Sequence, residues 1–262
     1  VPMAAFLSLA LPSGLLTGRQ RRLWITRFFN GLQKLAESHS IDLAGGDTAE
    51  SPADVILADI VLLGSAPVGR SLRRSGAQPG DILYVTGSLG GAAAELGAML
   101  SGPVRRTRTS AGGGHPHLFP QPRTAVGLAL LRHRLATSCI DVSDGLSTDL
   151  AHLCRASGVA VEVERAAIPL HPLARRLGAE AALNAALHGG EDYELLFSAP
   201  ASVRMPREIA GVPVTRIGRF SRRRAKQPPM TLLAPDGSRA TLEPRGWEHF
   251  SRRPGRSAGR SD

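Results

Sequence analysis

Asp141, Ser143 and Asp144 are the residues of this sequence whose types and spacing are best suited to chemistry. They follow an apolar run and precede a helix-forming run, which predicts a strand, a turn and a helix that begins near Gly145. Side chains two apart on a strand point to the same side, so Asp141 and Ser143 converge beside Asp144. Such hard oxygen ligands suit Mg²⁺, and the amides of the helix N-terminus would add donors for an anion. The alternative is structural, since Asp144 could simply cap the helix.

Two further carboxylates lie directly beside paired glycines. In the sequence GGDT at residues 45–48, Gly46 permits a close backbone approach, and Asp47 could bind a metal whose other ligands are phosphate oxygens. A plain glycine turn is the more common origin of that pattern. In GGEDY at residues 189–193, Glu191 precedes a predicted strand. Its carboxylate could accept a hydrogen bond from a polar or cationic small molecule, or it could cap a turn.

Nucleotide chemistry here would proceed without a Walker loop. Residues 86–91 form a glycine-rich turn but match neither the dinucleotide-binding nor the P-loop pattern. A guanidinium is suited to binding phosphate, and Arg74 could reach one, as could Arg70 and Arg73.

Composition limits the classes of partner. The chain has 262 residues, of which 42% are hydrophobic, so it can bury a core, and its net charge of +10 fits an anionic substrate or a nucleic acid. Aromatic residues make up only 4%, so the stacking surfaces of single-strand binders are scarce and a solvated basic surface is favoured. Cys139 and Cys154 lack metal-site spacing. His115 and His117 flank a proline after a glycine run, which favours a mobile loop over a metal site.

The uncharged opening of the chain resembles a membrane segment only superficially. Its apolar part, residues 3–11, has the length of a strand, and no basic segment precedes it as a secretory signal would require. The sequence therefore predicts a buried strand in a cytoplasmic protein without a membrane or nucleic-acid partner.

The pattern along the chain predicts an α/β (α+β) fold in two domains. Residues 1–68 form the first domain, residues 69–250 the second and residues 251–262 a disordered basic tail. The first domain contains a strand at 3–11, a helix at 19–38, a strand at 41–44 that ends in a glycine turn, and a strand at 55–65. The second contains strands at 82–85, 139–142, 159–163, 193–197 and 212–217, helices at 92–100, 123–136 and 180–187, a helix from about Gly145 that Gly158 closes, and a terminal hairpin.

Several motifs occur in the order found in thiamine-monophosphate kinases, and the sequence resembles that family from its first residues to Phe250. The motifs are GGDT at 45–48, RSGAQPGD at 74–81, VTGSLG at 85–90, PQPR at 120–123, IDVSDGLSTDL at 140–150, GGEDYEL at 189–195 and GWEHF at 246–250. The family belongs to the superfamily of aminoimidazole ribonucleotide synthetase. The implied fold is an N-terminal α/β domain whose strands pair in a dimer, followed by a larger α/β domain.

The resemblance implies ATP-dependent phosphorylation of thiamine monophosphate to thiamine diphosphate by direct in-line transfer, with Mg²⁺ as cofactor and a homodimer as the assembly. The implied Mg²⁺ ligands are Asp47, Asp141 and Asp144, of which Asp141 and Asp144 would be catalytic. The implied nucleotide contacts are Gly46, Asp47, Arg74 and Ser143. Glu191 and Trp247 correspond to contacts with thiamine monophosphate, although the family more often has Tyr in place of Trp247.

One departure from the family concerns the start of the chain. Family members open with a segment rich in acidic metal ligands, whereas this sequence starts at Val1 just after that point. We therefore expect a chain that lacks strands of the first domain and several Mg²⁺ ligands, with weak or absent kinase activity.

Three alternatives remain open at the level of sequence. The chain could be another ATP-using enzyme of the superfamily, such as the aminoimidazole ribonucleotide synthetase, a selenophosphate relative or a hydrogenase-maturation relative. The last needs a C-terminal cysteine, which this sequence lacks. It could be a non-catalytic homologue that binds nucleotide or thiamine phosphate. A basic nucleic-acid-binding protein would instead lose affinity steeply with salt and would not respond to ATP.

Overall fold

A computed structural model of the chain describes residues 1–15, 19–102 and 114–246, with the backbone alone described at residues 19–22. The chain divides into two compact units. The first unit is Val1–Ser71, and the second begins at Leu72. The predicted disordered tail at 251–262 lies outside the described residues.

The first unit is a three-stranded sheet with one long helix. Its elements are β1 (Pro2–Leu11), α1 (Arg19–Ser38), β2 (Asp42–Glu50) and β3 (Leu57–Gly64). β1 is the central strand, parallel to β2 and antiparallel to β3. The predicted strand and helix over residues 3–11 and 19–38 are confirmed.

Alternate residues of β1 are buried, as a strand with one covered face requires. Leu7, Leu9 and Leu11 pack in one cluster with side chains of α1, namely Trp24, Ile25, Phe28 and Leu32. Leu23, Phe29 and Leu35 are also apolar residues of α1, but their side chains are exposed. The helical period therefore located α1 correctly but did not show which of its apolar side chains reach the core.

The glycine turn predicted after residue 44 does not exist, because β2 continues through Gly45, Gly46 and Asp47. The register between β1 and β2 shifts between Ala5 and Phe6, which marks a bulge at this point. A Cβ on Gly46 would stand 1.9 Å from the carbonyl oxygen of Leu7. Glycine is therefore required here by the close approach of two strand backbones rather than by a turn.

The second unit is a mixed α/β structure built on an eight-stranded sheet. Its strands are β4 (Ile82–Thr86), β5 (Ser138–Asp141), β6 (Val159–Glu164), β7 (Leu195–Ala199), β8 (Glu208–Ile209), β9 (Val212–Arg222), β10 (Met230–Leu233) and β11 (Arg239–Thr241). Its helices are α2 (Gly91–Ser101), α3 (Thr124–Arg132), α4 (Leu146–Ser157), α5 (Pro172–Arg175) and α6 (Ala179–His188). The strand order is β11-β10-β6-β9-β4-β7-β5, with β8 paired to β9.

The main core of the second unit lies between α4 and the sheet. Leu146, Leu150 and Leu153 of α4 are fully buried and belong to the same cluster as Leu83 of β4 and Ile217 of β9. These three leucines recur at helical spacing and form the buried stripe of the helix that the sequence predicted from about Gly145. The helix ends at Gly158, which adopts the left-handed conformation with φ 69°, as expected for a glycine that closes a helix.

Two predicted strands have different bounds in the structure. The strand expected at 193–197 begins only at Leu195, because Glu191 and Tyr193 have φ values of 68° and 49° and are not extended. The strand expected at 212–217 continues to Arg222 as β9. In the described part of the chain, no helix is both long and apolar enough to cross a membrane.

Candidate functional site

The predicted acidic turn follows β5 directly. Asp141 is the last residue of β5 and is exposed, while Ser143 and Asp144 lie in the turn before α4 and are half-buried. No described residue forms a hydrogen bond or an ion pair with the carboxylate of Asp141 or Asp144. Two carboxylates with free oxygens at one turn are a donor set that suits a hard divalent cation such as Mg²⁺.

Asp149, on the first turn of α4, holds this acidic turn in shape. Its Oδ2 atom accepts hydrogen bonds from the backbone amides of Ser143, Asp144 and Gly145 at 3.0, 3.0 and 3.1 Å. These three amides precede α4, so the anion-binding role expected for the helix N-terminus stays a prediction for the amides that follow them. The side chain of Asp144 does not cap α4, which has no side-chain cap. Burial raises the pKa of Asp149 to about 6.

The acidic turn and the GGEDYEL segment are joined through their backbones. The amide of Glu191 donates to Ser143 O and the amide of Tyr193 to Val142 O, both at 2.8 Å. The approach is so close that a Cβ on Gly190 would stand 2.7 Å from Ser143 O. The two motifs, 47 residues apart in sequence from Asp144 to Glu191, therefore form one structure.

The phenol of Tyr193 is influenced electrostatically by both motifs. Its pKa is raised by burial and by the negative charges of Glu191, Asp141 and Asp144. The left-handed backbone at Glu191 and Tyr193 is rarely adopted by residues other than glycine and marks local strain. The structure thus brings Asp141, Ser143, Asp144 and Glu191 together, as the sequence predicted for one site.

The other two acids of GGEDYEL point into the protein. Asp192 accepts hydrogen bonds from the amides of Gly90 and Ala92, at 2.6 and 3.1 Å, at the start of α2. Burial raises the pKa of Asp192 to about 6. Glu194, which is 4% exposed, forms a two-bond ion pair with Arg123 at 2.6 and 2.7 Å. Thr86 also donates to Glu194, at 2.6 Å.

Comparison with known proteins identifies the family. The family model described as AIR synthase related protein, C-terminal domain, matches residues 78–218. A thiamine-monophosphate kinase of Escherichia coli is 38% identical over 234 residues, which cover 87% of this chain and 69% of that protein. The chain belongs to the thiamine-monophosphate kinase family. This confirms the resemblance stated from the motifs and the fold class.

Two solved structures of the thiamine-monophosphate kinase family share this fold. The enzyme of Stenotrophomonas maltophilia is 35% identical and has a TM-score of 0.77, with 91% of this chain and 73% of that chain covered. AaThiL complexed with AMPPCP and TMP is 28% identical and has a TM-score of 0.75, with 95% and 74% covered.

Three of the remaining predicted site residues, Gly46, Asp47 and Arg74, lie within the described part of the chain. Gly46 and Asp47 lie on β2 of the first unit, away from any turn. The exposed Arg74 lies beside the C-terminal end of α4, where its carbonyl accepts a hydrogen bond from Ser157. A helix of this length spans roughly 17 Å, so the backbone of Arg74 lies at the opposite end of α4 from Asp144. Trp247 lies outside the described residues.

The residue before Trp247 lies directly against the acidic turn. The amide of Gly246 donates to Thr148 Oγ1 at 3.0 Å, and a Cβ on Gly246 would stand 1.9 Å from Asp144 O. The family motif at 246–250 therefore begins at the same turn as the two catalytic candidates.

Within the described ranges, no three His, Cys, Asp or Glu side chains gather into a metal-binding group. The proposed metal donors of the second unit are therefore the pair Asp141 and Asp144. Sequence reasoning missed Asp149, Asp192, Glu194 and Arg123 as supporting residues of the site. Each of them lies in a motif that the resemblance had identified, but the sequence did not show which acids point inward.

Proposed function

We propose that this chain catalyses the ATP-dependent phosphorylation of thiamine monophosphate to thiamine diphosphate. The observation that carries the proposal is the pair of free carboxylates, Asp141 and Asp144, fixed beside Glu191 by backbone hydrogen bonds. AaThiL, which shares the fold, forms a complex with AMPPCP and TMP. The carboxylates of this chain are therefore suited to the reaction of the family.

The reaction moves the terminal phosphoryl group of ATP in line onto a phosphate oxygen of thiamine monophosphate. One bridging P–O bond of ATP breaks, one new P–O bond forms, and ADP leaves. Both reactants are anionic, so catalysis rests on holding them together rather than on covalent chemistry by the protein. Bound Mg²⁺ would neutralise and align the phosphates.

Each predicted site residue has a role in this proposal. Asp141 and Asp144 would hold Mg²⁺, and Asp47 is a further candidate ligand for this ion. Gly46, Asp47, Arg74 and Ser143 are the proposed nucleotide contacts. Glu191 and Trp247 bind thiamine monophosphate, the first through its carboxylate and the second through its ring.

The proposal also includes a homodimer, which the first unit would form. All residues of β3 are exposed, among them Ile60, Val61, Leu62 and Leu63 at 45–59%. Ile60 and Leu62 lie on one face of this edge strand and Val61 and Leu63 on the other, and exposed apolar side chains in such number are typical of an interface. A second copy of the chain covers these side chains, and light scattering of the purified chain should give twice the monomer mass. A monomer at micromolar concentration would contradict the dimer without affecting the proposed reaction.

The test of function is calorimetry with AMPPCP and with thiamine monophosphate, with and without Mg²⁺, followed by an assay for thiamine diphosphate. We expect Mg²⁺-dependent binding of AMPPCP that D141N and D144N weaken by about tenfold or more, as for the loss of a charged contact worth about 1.5–3 kcal/mol. D236N, in an exposed turn of the β10–β11 hairpin, is the matched control. The proposed site would be refuted if AMPPCP bound equally well without Mg²⁺, or if neither D141N nor D144N weakened its binding.

A further inference from the structure

His117 lies against the carboxylate of Glu191. Its Nδ1 atom is 2.6 Å from Glu191 Oε2, although the direction of approach is not that of a regular hydrogen bond. The His117 side chain is 19% exposed and that of Glu191 is 49% exposed. The contact therefore joins a largely covered imidazole to a carboxylate that reaches into solvent.

A buried acid holds His117 in this position. Glu95 on α2 is 7% exposed, and its Oε2 atom accepts the backbone amide of His117 at 2.8 Å. Its other oxygen, Oε1, contacts Nδ1 of His115. His115 and His117 thus each contact a glutamate through the imidazole ring. Glu95 of α2 also fixes the backbone of His117.

Glu191 is a residue for which such support matters. Its backbone is held by the hydrogen bond to Ser143 O, but its half-exposed side chain is otherwise long and flexible. Ordering a side chain of this kind when a ligand binds weakens the affinity by about two- to tenfold. A contact that already orients the carboxylate in the free protein removes that cost.

Stability is the competing explanation for the pair. An ion pair that is half-exposed on one side contributes little to the stability of the fold. The imidazole lies on the one acid of GGEDYEL that faces outward, whereas the inward acids Asp192 and Glu194 have their own donors. The placement therefore favours a role in ligand binding over a role in folding.

We propose that His117 is a positioning residue for the substrate site, which holds the Glu191 carboxylate in the orientation that accepts a hydrogen bond from the aminopyrimidine ring of the substrate. The inference rests on the proposed function, in which Glu191 contacts thiamine monophosphate. His117 itself does not contact the reacting phosphates.

A double-mutant cycle of His117 and Glu191 tests the proposal by calorimetry with thiamine monophosphate and with AMPPCP. We expect H117A to weaken binding of thiamine monophosphate by about tenfold while AMPPCP binding stays within twofold, about the cost of ordering one side chain. H117N, which keeps a polar group near the position of Nδ1, should restore most of the affinity. In an E191Q background, H117A should have little further effect.

His133 is exposed at the end of α3 and provides the matched control, since H133A should bind both ligands as the wild type does. A loss of thiamine monophosphate affinity that is equal in the wild-type and E191Q backgrounds would overturn the positioning role. So would an equal loss of AMPPCP binding. If the unmodified chain binds no thiamine monophosphate, the proposed function fails; if it binds but H117A and H117N are unchanged, only this inference fails. Circular dichroism of each variant confirms folding.

Discussion

Asp149 Oδ2 lies 3.0 Å from the backbone amide of Asp144 and accepts its hydrogen bond, so one carboxylate shapes the turn that carries another. The same oxygen also accepts the amides of Ser143 and Gly145. Asp149 is 2% exposed, so a ligand that enters from solvent cannot reach its carboxylate. It acts on the site by holding the turn, which leaves Asp144 free to bind a cation.

The first prediction concerns the loss of this acceptor. D149A leaves three amide donors without a partner, and each unsatisfied buried donor costs about 1–3 kcal/mol, so we expect the free energy of unfolding to fall by about 3 kcal/mol. D149N keeps one oxygen acceptor and should cost less. Urea denaturation checks stability, and Mg²⁺-dependent AMPPCP binding by folded D149N checks the turn. If D149A were as stable as D236N, Asp149 would not organise the turn.

The second prediction concerns the ion pair behind GGEDYEL. R123A leaves the carboxylate of Glu194 buried without its partner, which typically costs about 3–5 kcal/mol. R123K should recover only part of this loss, because an ammonium group does not reproduce the two parallel bonds of a guanidinium. The double variant R123M/E194Q should be more stable than R123A. Thermal melts of the four proteins test this order, and an R123A protein as stable as wild type would contradict it.

Much of the fold could be predicted because hydrophobic periodicity reports directly on burial. The stripe of Leu146, Leu150 and Leu153 located α4, and Gly158 located its end. The failures lie where the backbone departs from regular geometry. Because the backbones of Glu191 and Tyr193 adopt the left-handed conformation, β7 begins later in the sequence than predicted. Nothing in the types of these two residues requires that conformation.

The site could be predicted in part, because carboxylates beside a strand end suggest a cation whatever their neighbours are. Backbone hydrogen bonds do join the segment of Asp141 and Asp144 to that of Glu191. What the sequence could not show is the direction of each acid, since Asp149 and Asp192 have the same chemistry as Asp144 but face inward. Gly46 was misinterpreted for a related reason, because a close strand contact and a turn both favour glycine.

The third prediction concerns pH. Burial raises the pKa of Asp192 from 3.8 to about 6, so between about pH 4 and pH 6 the folded protein holds a proton that the unfolded chain has lost. The contribution of Asp192 to the free energy of unfolding therefore falls as the pH rises through this window, by at most about 3 kcal/mol, and is constant above it. The raised pKa of Asp149 acts in the same direction.

D192N removes the ionisable group at residue 192. The free energy of unfolding of D192N, relative to that of wild type, should therefore rise from pH 4.5 to pH 7. Urea denaturation in the presence of a chelator at the two pH values measures this difference. A relative stability that is the same at both values would show that Asp192 ionises at the same pH in the folded and unfolded chain.

The fourth prediction concerns the start of the C-terminal motif. In G246A the new Cβ would stand 1.9 Å from Asp144 O and 2.6 Å from Thr148 Oγ1, so the backbone around residue 246 must shift. Because this segment leads to Trp247 and presses on the acidic turn, we expect weaker thiamine monophosphate binding and a loss of about 1–3 kcal/mol in stability. Gly97, inside α2 with open space around it, is the matched control. G97A should raise stability by about 0.5–1 kcal/mol and leave binding unchanged, because alanine favours a helix interior. If G246A behaved like G97A in both measurements, the segment would not be docked on the turn.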